Sequence, residues 1–388
     1  MVRERVDYWE KWGGEEWDTM AAVVRAFNCI QDAYEVVMTP AGDQSASPDL
    51  PRFLRAQHHG SPPDLIGLED HQIADLAAQG ALTPLVQVLD PLHVTRAGYD
   101  DRFLALGAFD NALYGVPVSA NIVTLYINLA SVRGTLFEAG HLPVGLGEFD
   151  AGIKELRVRG QVGFVPTYPG WWPHAWAWIF GASWVDPQGR FAPDQPDLVQ
   201  AYEWFTSWRN HRAPGTFDGL INPIGAHTPD PFLSGAVAMV FDGDWLVPRL
   251  MRAPGLDWTP AAFPTTDQRP AALIVADLLS IPAGARCMDG AAAFLRFALQ
   301  PAQIEHVALG HGKISPLAHW SAPFVARHRN PALGHLRTIL ESARIFHDPR
   351  TPGWLAQLGS IKHACAQMWA GQQTPEHALA AIVPKDAH

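Results

Sequence analysis

The chain has 388 residues, of which 48% are hydrophobic and 17% charged, and its formal net charge is −11. This composition indicates a folded chain long enough for two domains. The acidic balance disfavours nucleic acid and anionic lipid as partners, and no uninterrupted apolar run is long enough to span a bilayer.

The first part of the chain alternates between strand and helix patterns. The charged start MVRERVDYWE lacks the apolar region of a signal peptide. The patterns predict a helix in EEWDTMAAVVRAFN, a strand in AYEVVMTP, a helix in PRFLRAQHHG, a buried strand in PPDLIGL and a helix in HQIADLAAQGAL. This alternation predicts an α/β architecture with a largely parallel sheet.

The rest of the chain continues the same alternation. Strands are predicted in ALYGVPVSANIVTLYIN, QVGFVP, AVAMVF and ALIVADLLSIP, and a turn or hairpin in DPQGRF. Helices are predicted in GEFDAGIKELRVRG, QPDLVQAYEWFTSWRNH and GAAAFLRFALQPAQIEHVALG, followed by a mostly helical tail.

The common motifs of cofactor and metal sites are absent from the sequence. GHGKIS is not a phosphate-binding loop, because Ile314 replaces the required Ser or Thr. The three cysteines, Cys29, Cys287 and Cys365, form no CxxC pair and are predicted to be small buried side chains. The seventeen histidines are scattered. The sequence therefore predicts neither a metal ion nor a cofactor.

Three segments resemble those of the family 1 extracellular solute-binding proteins, the sugar receptors of ABC importers. They are GSPPDLIGLEDHQIADLAAQGALTPL, ALYGVPVSANIVTLYINLASVRGTLFEAG and FLSGAVAMVFDGDWLVPRL. DLLSIPAGARCMDGAAAFLRFALQPAQ, GKISPL and WAGQQTPEHALAAI also fall in the family's order, so the resemblance covers nearly the whole chain. The chain departs from the family at Asn128-Leu129, where Asn-Lys is usual, and at Ala276-Asp277, where a pair of small residues is usual.

The resemblance implies a two-lobed α/β fold of the type II periplasmic-binding-protein class, each lobe a mostly parallel sheet flanked by helices. It places the N-lobe at 1–113 and 262–312, the C-lobe at 116–260 and 316–388, and hinges near 114–115, 261 and 313–315. It implies a monomeric receptor, not an enzyme, in the periplasm or anchored outside the membrane. The expected ligand is a di- or oligosaccharide, bound between the lobes and delivered to a membrane permease.

The predicted ligand-binding residues combine aromatic and polar side chains. A pyranose presents an apolar face to an indole and a rim of hydroxyls to carboxylates, amides and guanidinium groups. Residues of these types lie where strands end or where the family presents ligand contacts. They are Trp9, Trp12, Glu69, Asp70, Ser119, Asn121, Trp171, Trp172, Asp244, Trp245, Asp277, Arg350 and Trp354.

Several of these residues also have a purely structural interpretation. One of Trp9 and Trp12 is placed to pack on the first helix, Glu69 and Asp70 to form a solvated loop, and Asp244 to cap a helix.

The tryptophan run TYPGWWPHAWAWIFGASW has spacings of four and seven that fit one helix. We expect Trp171 and Trp172, which follow Pro-Gly, to face a ligand. Trp176 and Trp178 are expected in the core, and His174 at a helix end in solvent.

Two other functions fit parts of the sequence. A glycoside hydrolase also combines aromatics with carboxylates, but it needs two carboxyl groups about 5–10 Å apart, and no such pair stands out. A solute-binding protein for a phosphodiester, a polyamine or an organic acid is the other alternative. The tryptophan content favours sugar rings, and the lack of an Arg/Lys-rich turn argues against phosphate.

Overall fold

The computed structural model describes residues 2–43, 47–88, 98–138, 143–211 and 230–382. The predicted C-lobe therefore includes stretches, 139–142, 212–229 and 383–388, that lie outside the described residues. The chain divides into two compact units. The first comprises Met1–Asn121, Ile274–Arg329 and Arg350–Trp354, and the second Ile122–Leu273, Asn330–Pro349 and Leu355–His388. The predicted lobe and hinge boundaries concern motion and remain predictions.

The strands of the described residues are numbered along the chain. They are β1 (Glu4–Glu10), β2 (Tyr34–Pro40), β3 (Leu65–Glu69), β4 (Ala108–Phe109), β5 (Ala112–Leu113), β6 (Gly115–Asn128), β7 (Met239–Gly243), β8 (Trp258–Ala261), β9 (Ala271–Ser280) and β10 (Arg344–Phe346).

In the first unit, β1 pairs in parallel with β2 and with β3. The second half of β9 lies antiparallel to β3, with Asp277 opposite Glu69. This register brings Asp277 to the edge where β3 ends, next to the segment that follows β1.

In the second unit, β6 pairs antiparallel with β7 and β8, and β10 pairs in parallel with the first half of β9. The sheet there is mixed, whereas the resemblance implied a mostly parallel one. The α/β class itself is confirmed.

Helices follow most of the predicted segments. In the first unit they are Gly14–Ile30, Leu50–His58, Asp70–Ala78, Asp101–Leu104, Met288–Ala298, Pro301–His311 and Ala322–Arg327. In the second unit they are Leu146–Val158, Trp176–Ile179, Pro196–Ser207, Val247–Met251, Leu333–Ser342 and Pro375–Ala380. Helix Trp354–Ala370 begins at the last residue of the first unit and continues in the second.

Each unit has its own apolar core. In the first, the buried stripe Met20, Val24 and Phe27 of helix Gly14–Ile30 packs with β1 and with helix Met288–Ala298. In the second, Tyr126, Phe232 and Val240 belong to a cluster under β6 and β7. Burying such side chains stabilises each unit by about 1.5–3 kcal/mol per large residue.

Two local predictions, those for QVGFVP and Cys29, are wrong. QVGFVP forms no strand but a single bridge from Val162 to Val237, because a short apolar run does not by itself specify a strand. The tryptophan run forms a 3₁₀ turn, Pro173–Ala175, followed by the short helix Trp176–Ile179, so that Trp172 precedes the turn and Trp176 and Trp178 lie in the helix. Cys29 is exposed, since it lies near the end of the first helix, away from the buried stripe.

Candidate functional site

A buried ion-pair cluster lies in the first unit at the ends of β1 and β3. It consists of Lys11, Glu16, Asp277 and Lys313. Lys11 follows β1, Glu16 lies in the first turn of helix Gly14–Ile30, Asp277 is on β9, and Lys313 follows helix Pro301–His311. Gly312, with φ of 69°, ends that helix in the left-handed conformation and turns the chain toward Lys313. In α/β proteins, ligands commonly bind at the carboxyl ends of the parallel strands.

The four charges of the ion-pair cluster are joined by short contacts. Lys11 Nζ is 2.6 Å from Asp277 Oδ1, Lys313 Nζ is 2.6 Å from Glu16 Oε1, and Lys313 Nζ is 3.6 Å from Asp277 Oδ2. Two ammonium groups face two carboxylates, so the cluster is charge-balanced. Mutual pairing offsets the cost of removing these ions from water.

The pKa values of the ion-pair cluster favour its charged forms. Burial opposes ionisation of Asp277, but Lys11 and Lys313 outweigh it and hold its pKa well below the ordinary value. Burial likewise opposes protonation of Lys11, yet Asp277 raises its pKa above the ordinary value. Glu10 is different, since burial raises its pKa to about 7 despite a hydrogen bond from Tyr8.

Three predicted ligand-binding residues lie beside the ion-pair cluster. Asn121 Nδ2 donates to Asp277 Oδ2 at 3.4 Å, and Ser119 Oγ is 3.4 Å from His311 Nδ1. The Trp12 indole is 1% exposed and packs edge-on against His311, with ring centroids 4.3 Å apart. Trp12 Nε1 and Asn121 Oδ1 are buried and have no hydrogen-bond partner among the described residues.

His311 predicts a pH dependence of stability. Burial, followed by repulsion from Lys313, lowers its pKa from 6.5 to about 4. Between these values the unfolded chain binds a proton that the folded chain does not, so the free energy of unfolding falls as the pH drops from 6.5 to about 4. The contribution is on the order of 3 kcal/mol. Chemical denaturation across this pH range measures it.

The matched variant for this prediction is His311→Gln, which does not titrate. Glu10 contributes a slope of opposite sign, because its raised pKa makes the folded chain the better proton binder up to about pH 7. That slope is common to both proteins, so the difference between them isolates His311. Equal pH slopes in wild type and His311→Gln would contradict the prediction.

The other predicted residues after β1 and β3 have structural partners. The Trp9 ring is half-buried, and the guanidinium carbon of Arg52 lies 4.1 Å from its centroid. Glu69 is not in a solvated loop, since it forms a capping box with Gln72 at the start of helix Asp70–Ala78. Asp70 is buried and accepts a hydrogen bond from Ala276 N at 3.3 Å. A ligand role for Trp9, Glu69 and Asp70 remains a prediction.

Arg350 and Trp354 lie in the third segment of the first unit. Arg350 is exposed and donates through Nη1 to the Ala105 carbonyl. Trp354 is fully buried at the start of its helix, as expected of a core residue. The predicted ligand role of both residues remains a prediction.

In the second unit, Trp172 and Trp245 form an aromatic pair. Their ring centroids are 6.1 Å apart and their planes make an angle of 34°. Both side chains are half-buried, and Trp172 Nε1 is buried with no hydrogen-bond partner among the described residues. Trp245 is fixed by the turn after β7, where its indole donates to Asp242. The pair offers two adjacent flat apolar faces.

The two aspartates at the turn after β7 differ in environment. Asp244 is fully buried and accepts a hydrogen bond from Ile122 N at 3.2 Å, so its carboxylate ties β6 to the turn. Burial raises the pKa of Asp242 to about 7, although Gly243 N and the Trp245 indole donate to it. A ligand contact of Asp244 remains a prediction.

The remaining tryptophans of the run divide between surface and core. Trp171 is 59% exposed. Trp176 and Trp178 are buried, and Trp178 stacks on Phe346 with planes 7° apart. His174 is not in solvent as expected but 1% exposed, with Nε2 2.8 Å from Asp348 Oδ1.

Five side chains that lie in or near the ion-pair cluster and the aromatic pair were not predicted from the sequence. They are Lys11, Glu16, His311 and Lys313 in the first unit and Asp348 in the second. A signal for Lys11 exists in retrospect, since it directly precedes Trp12 at the end of β1. Within the described ranges, no group of three or more His, Cys, Asp or Glu side chains is arranged to hold a metal ion.

None of the described helices is long and apolar enough to cross a membrane.

Comparison with known proteins gives both a fold and a family. CpMnBP1 with mannotriose bound is 22% identical, with a TM-score of 0.80, over 97% of this chain and 98% of that one. The GacH receptor of Streptomyces glaucescens, solved unliganded and with acarbose, is 19% identical, with a TM-score of 0.77, over 98% and 96%. The maltose-maltodextrin binding protein of Alicyclobacillus acidocaldarius is 16% identical, with a TM-score of 0.74, over 98% of both chains.

No curated protein matches the sequence. The model of a family described as bacterial extracellular solute-binding protein matches residues 22–325, which is more than half of the chain. The chain therefore belongs to the bacterial extracellular solute-binding protein family, as its sequence motifs predicted.

Proposed function

We propose that the protein is the substrate-binding component of an ABC importer and that its ligand is a neutral di- or oligosaccharide. The observation that carries this proposal is the Trp172–Trp245 aromatic pair, with centroids 6.1 Å apart. Half-buried indole faces match the C–H face of a pyranose. The unpaired Trp172 Nε1 is a buried donor that a sugar hydroxyl satisfies.

The first unit supports the same ligand class through its polar groups. Trp12 Nε1 and Asn121 Oδ1 are a buried donor and a buried acceptor without partners among the described residues. Hydroxyls both donate and accept, so a sugar complements such a mixture. The ion-pair cluster carries two ammonium groups and two carboxylates, which leaves no excess cation for a phosphate or an organic acid.

The relatives support carbohydrate and receptor function together. Structures of similar fold are titled as bound to mannotriose, acarbose and maltose. A receptor of this family, located outside the cytoplasmic membrane, passes its ligand to a permease without altering it. We propose this role for the chain, as a monomer. The prediction that one ligand contacts both units rests on the family resemblance.

Titration calorimetry of the purified protein against mannobiose, mannotriose, maltose and maltotriose tests the proposal. Inorganic phosphate and citrate serve as charged controls. We expect one neutral sugar class to bind, to raise the free energy of unfolding by about 2.7 kcal/mol at a hundredfold excess over Kd, and to be recovered uncleaved. Cleavage of the bound sugar would favour a glycoside hydrolase, and binding of a charged control alone would overturn the proposal.

A further inference from the structure

The His174–Asp348 pair lies next to the residue that carries the proposed sugar contact. Its Nε2–Oδ1 distance is 2.8 Å, and the two side chains are 1% and 2% exposed. Burying polar groups of this kind costs several kcal/mol of solvation, and a pair of apolar residues commonly stabilises a fold as well or better. Stability alone therefore gives no reason for a His–carboxylate pair at this position.

The imidazole of His174 is held on several sides. Its ring lies edge-on to Trp178, with centroids 5.4 Å apart and planes at 88°. Trp178 stacks on Phe346 at the end of β10, two residues before Asp348. A carboxylate on one ring nitrogen fixes the rotation of an imidazole. The Asp348 contact, at 2.8 Å, thus restrains the rotation of the His174 ring within the aromatic packing.

The fixed imidazole in turn contacts Trp172. The centroids of the His174 and Trp172 rings are 5.9 Å apart, and their planes make an angle of 63°. Trp172 lies in the loop before the turn, and its backbone is not helical, with φ of −121° and ψ of 47°. The Trp172 indole therefore rests against the ring of His174 as well as against that of Trp245.

The backbone of this loop is anchored independently of the pair. Trp184 Nε1 donates to the His174 carbonyl at 2.9 Å, and Tyr202 OH donates to the Pro173 carbonyl at 2.8 Å. We therefore expect that loss of the His174–Asp348 contact leaves the backbone of this loop in place and frees the His174 and Trp172 side chains to move.

We infer that His174 and Asp348 are positioning residues that fix the Trp172 indole at its angle to Trp245. The effect on sugar affinity rests on the proposed function, whereas the effect on indole orientation does not. Asp348 acts on the ligand only through Trp172.

Near-UV circular dichroism tests the orientation without any ligand. Coupling between neighbouring indoles gives a signal that depends on their mutual angle, so Trp172→Ala removes the signal of the aromatic pair. We expect Asp348→Ala to remove most of the same bands and Asp348→Asn, which keeps an acceptor oxygen, to restore them. A wild-type spectrum in a folded Asp348→Ala protein would overturn the inference. If Asp348→Ala does not fold, the comparison uses His174→Leu against His174→Gln, which keeps a donor near the Nε2 position.

A double-mutant cycle then tests the effect on affinity, and its probe is whichever of mannobiose, mannotriose, maltose and maltotriose binds the wild type most tightly. We expect Asp348→Ala to weaken binding about tenfold in the wild-type background and less than about twofold when Trp172 is already Ala. Equal losses in both backgrounds would indicate a structural role and contradict the inference. Glu155→Ala, which removes an exposed pair with Arg159 on helix Leu146–Val158, is the matched control and is expected to change neither measurement. If none of the four sugars used in calorimetry binds the wild type, the proposed function fails, while the circular dichroism result still decides the positioning.

Discussion

Replacement of Asp277 by Ala is expected to lower the free energy of unfolding by about 3–5 kcal/mol. The change leaves the Lys11 ammonium, which lies 2.6 Å from the Asp277 carboxylate, buried without its partner. It also removes the second carboxylate next to Lys313. A buried charge without a partner lowers the free energy of unfolding far more than the intact pair raises it. The expected loss of stability therefore exceeds that from breaking a surface salt bridge. Urea denaturation at neutral pH measures it.

Two variants make the result specific to the ion-pair cluster. Asp32→Ala breaks an exposed pair with Arg3, in which the Asp32 side chain is 98% exposed, and is expected to lower the free energy of unfolding by less than about 1 kcal/mol. Adding Lys11→Met to Asp277→Ala removes the stranded charge and is expected to restore part of the stability. A loss below about 1 kcal/mol for Asp277→Ala would mean that the cluster is not buried as described.

Replacement of either Trp172 or Trp245 by Ala is expected to raise the Kd for the sugar by about 30- to 1,000-fold, or roughly 2–4 kcal/mol. Each change removes one of two flat faces that we propose to stack on pyranose rings. Since both side chains are only half-buried, most of the effect falls on binding and not on folding. Calorimetry measures affinity, and thermal melting of the free proteins measures stability.

The controls for this prediction use other tryptophans of the second unit. Trp204→Phe changes an indole that donates to Asp150 at 3.2 Å and packs on Trp176. Since this indole is not part of the aromatic pair, we expect the Kd for the sugar to be unchanged. The Kd of Trp171→Ala shows whether the exposed Trp171 also contacts the sugar. If both Trp172→Ala and Trp245→Ala bind the sugar with affinities within twofold of wild type, the aromatic pair does not form part of the binding site.

Local patterns predict most helices and strands because their signals are close together in the chain. The stripe Met20, Val24 and Phe27 specifies the first helix, and Gly80, with φ of 67°, follows the end of helix Asp70–Ala78. The predicted strand in QVGFVP does not form, because its partner, Val237, is distant in the chain and bridges to it at Val162 alone among the described residues. A short apolar run indicates that a segment is buried, but it does not specify the strand with which that segment pairs.

The residues around the predicted site are harder to find because their partners are distant. Lys11 and Lys313 both pair with Asp277, and the register of β9 against β3 places that carboxylate. His174 and Asp348 belong to segments that no local pattern links. The sequence predicts residue types well suited to a sugar, such as Trp172 and Trp245, whereas charge pairing and ring angles arise only in the folded chain.

The most direct test of the account is a crystal structure of the protein with its tightest-binding oligosaccharide. We predict a pyranose ring stacked on the face of Trp172 or Trp245 and a sugar hydroxyl accepting a hydrogen bond from Trp172 Nε1. A bound sugar that contacts neither indole would contradict the account.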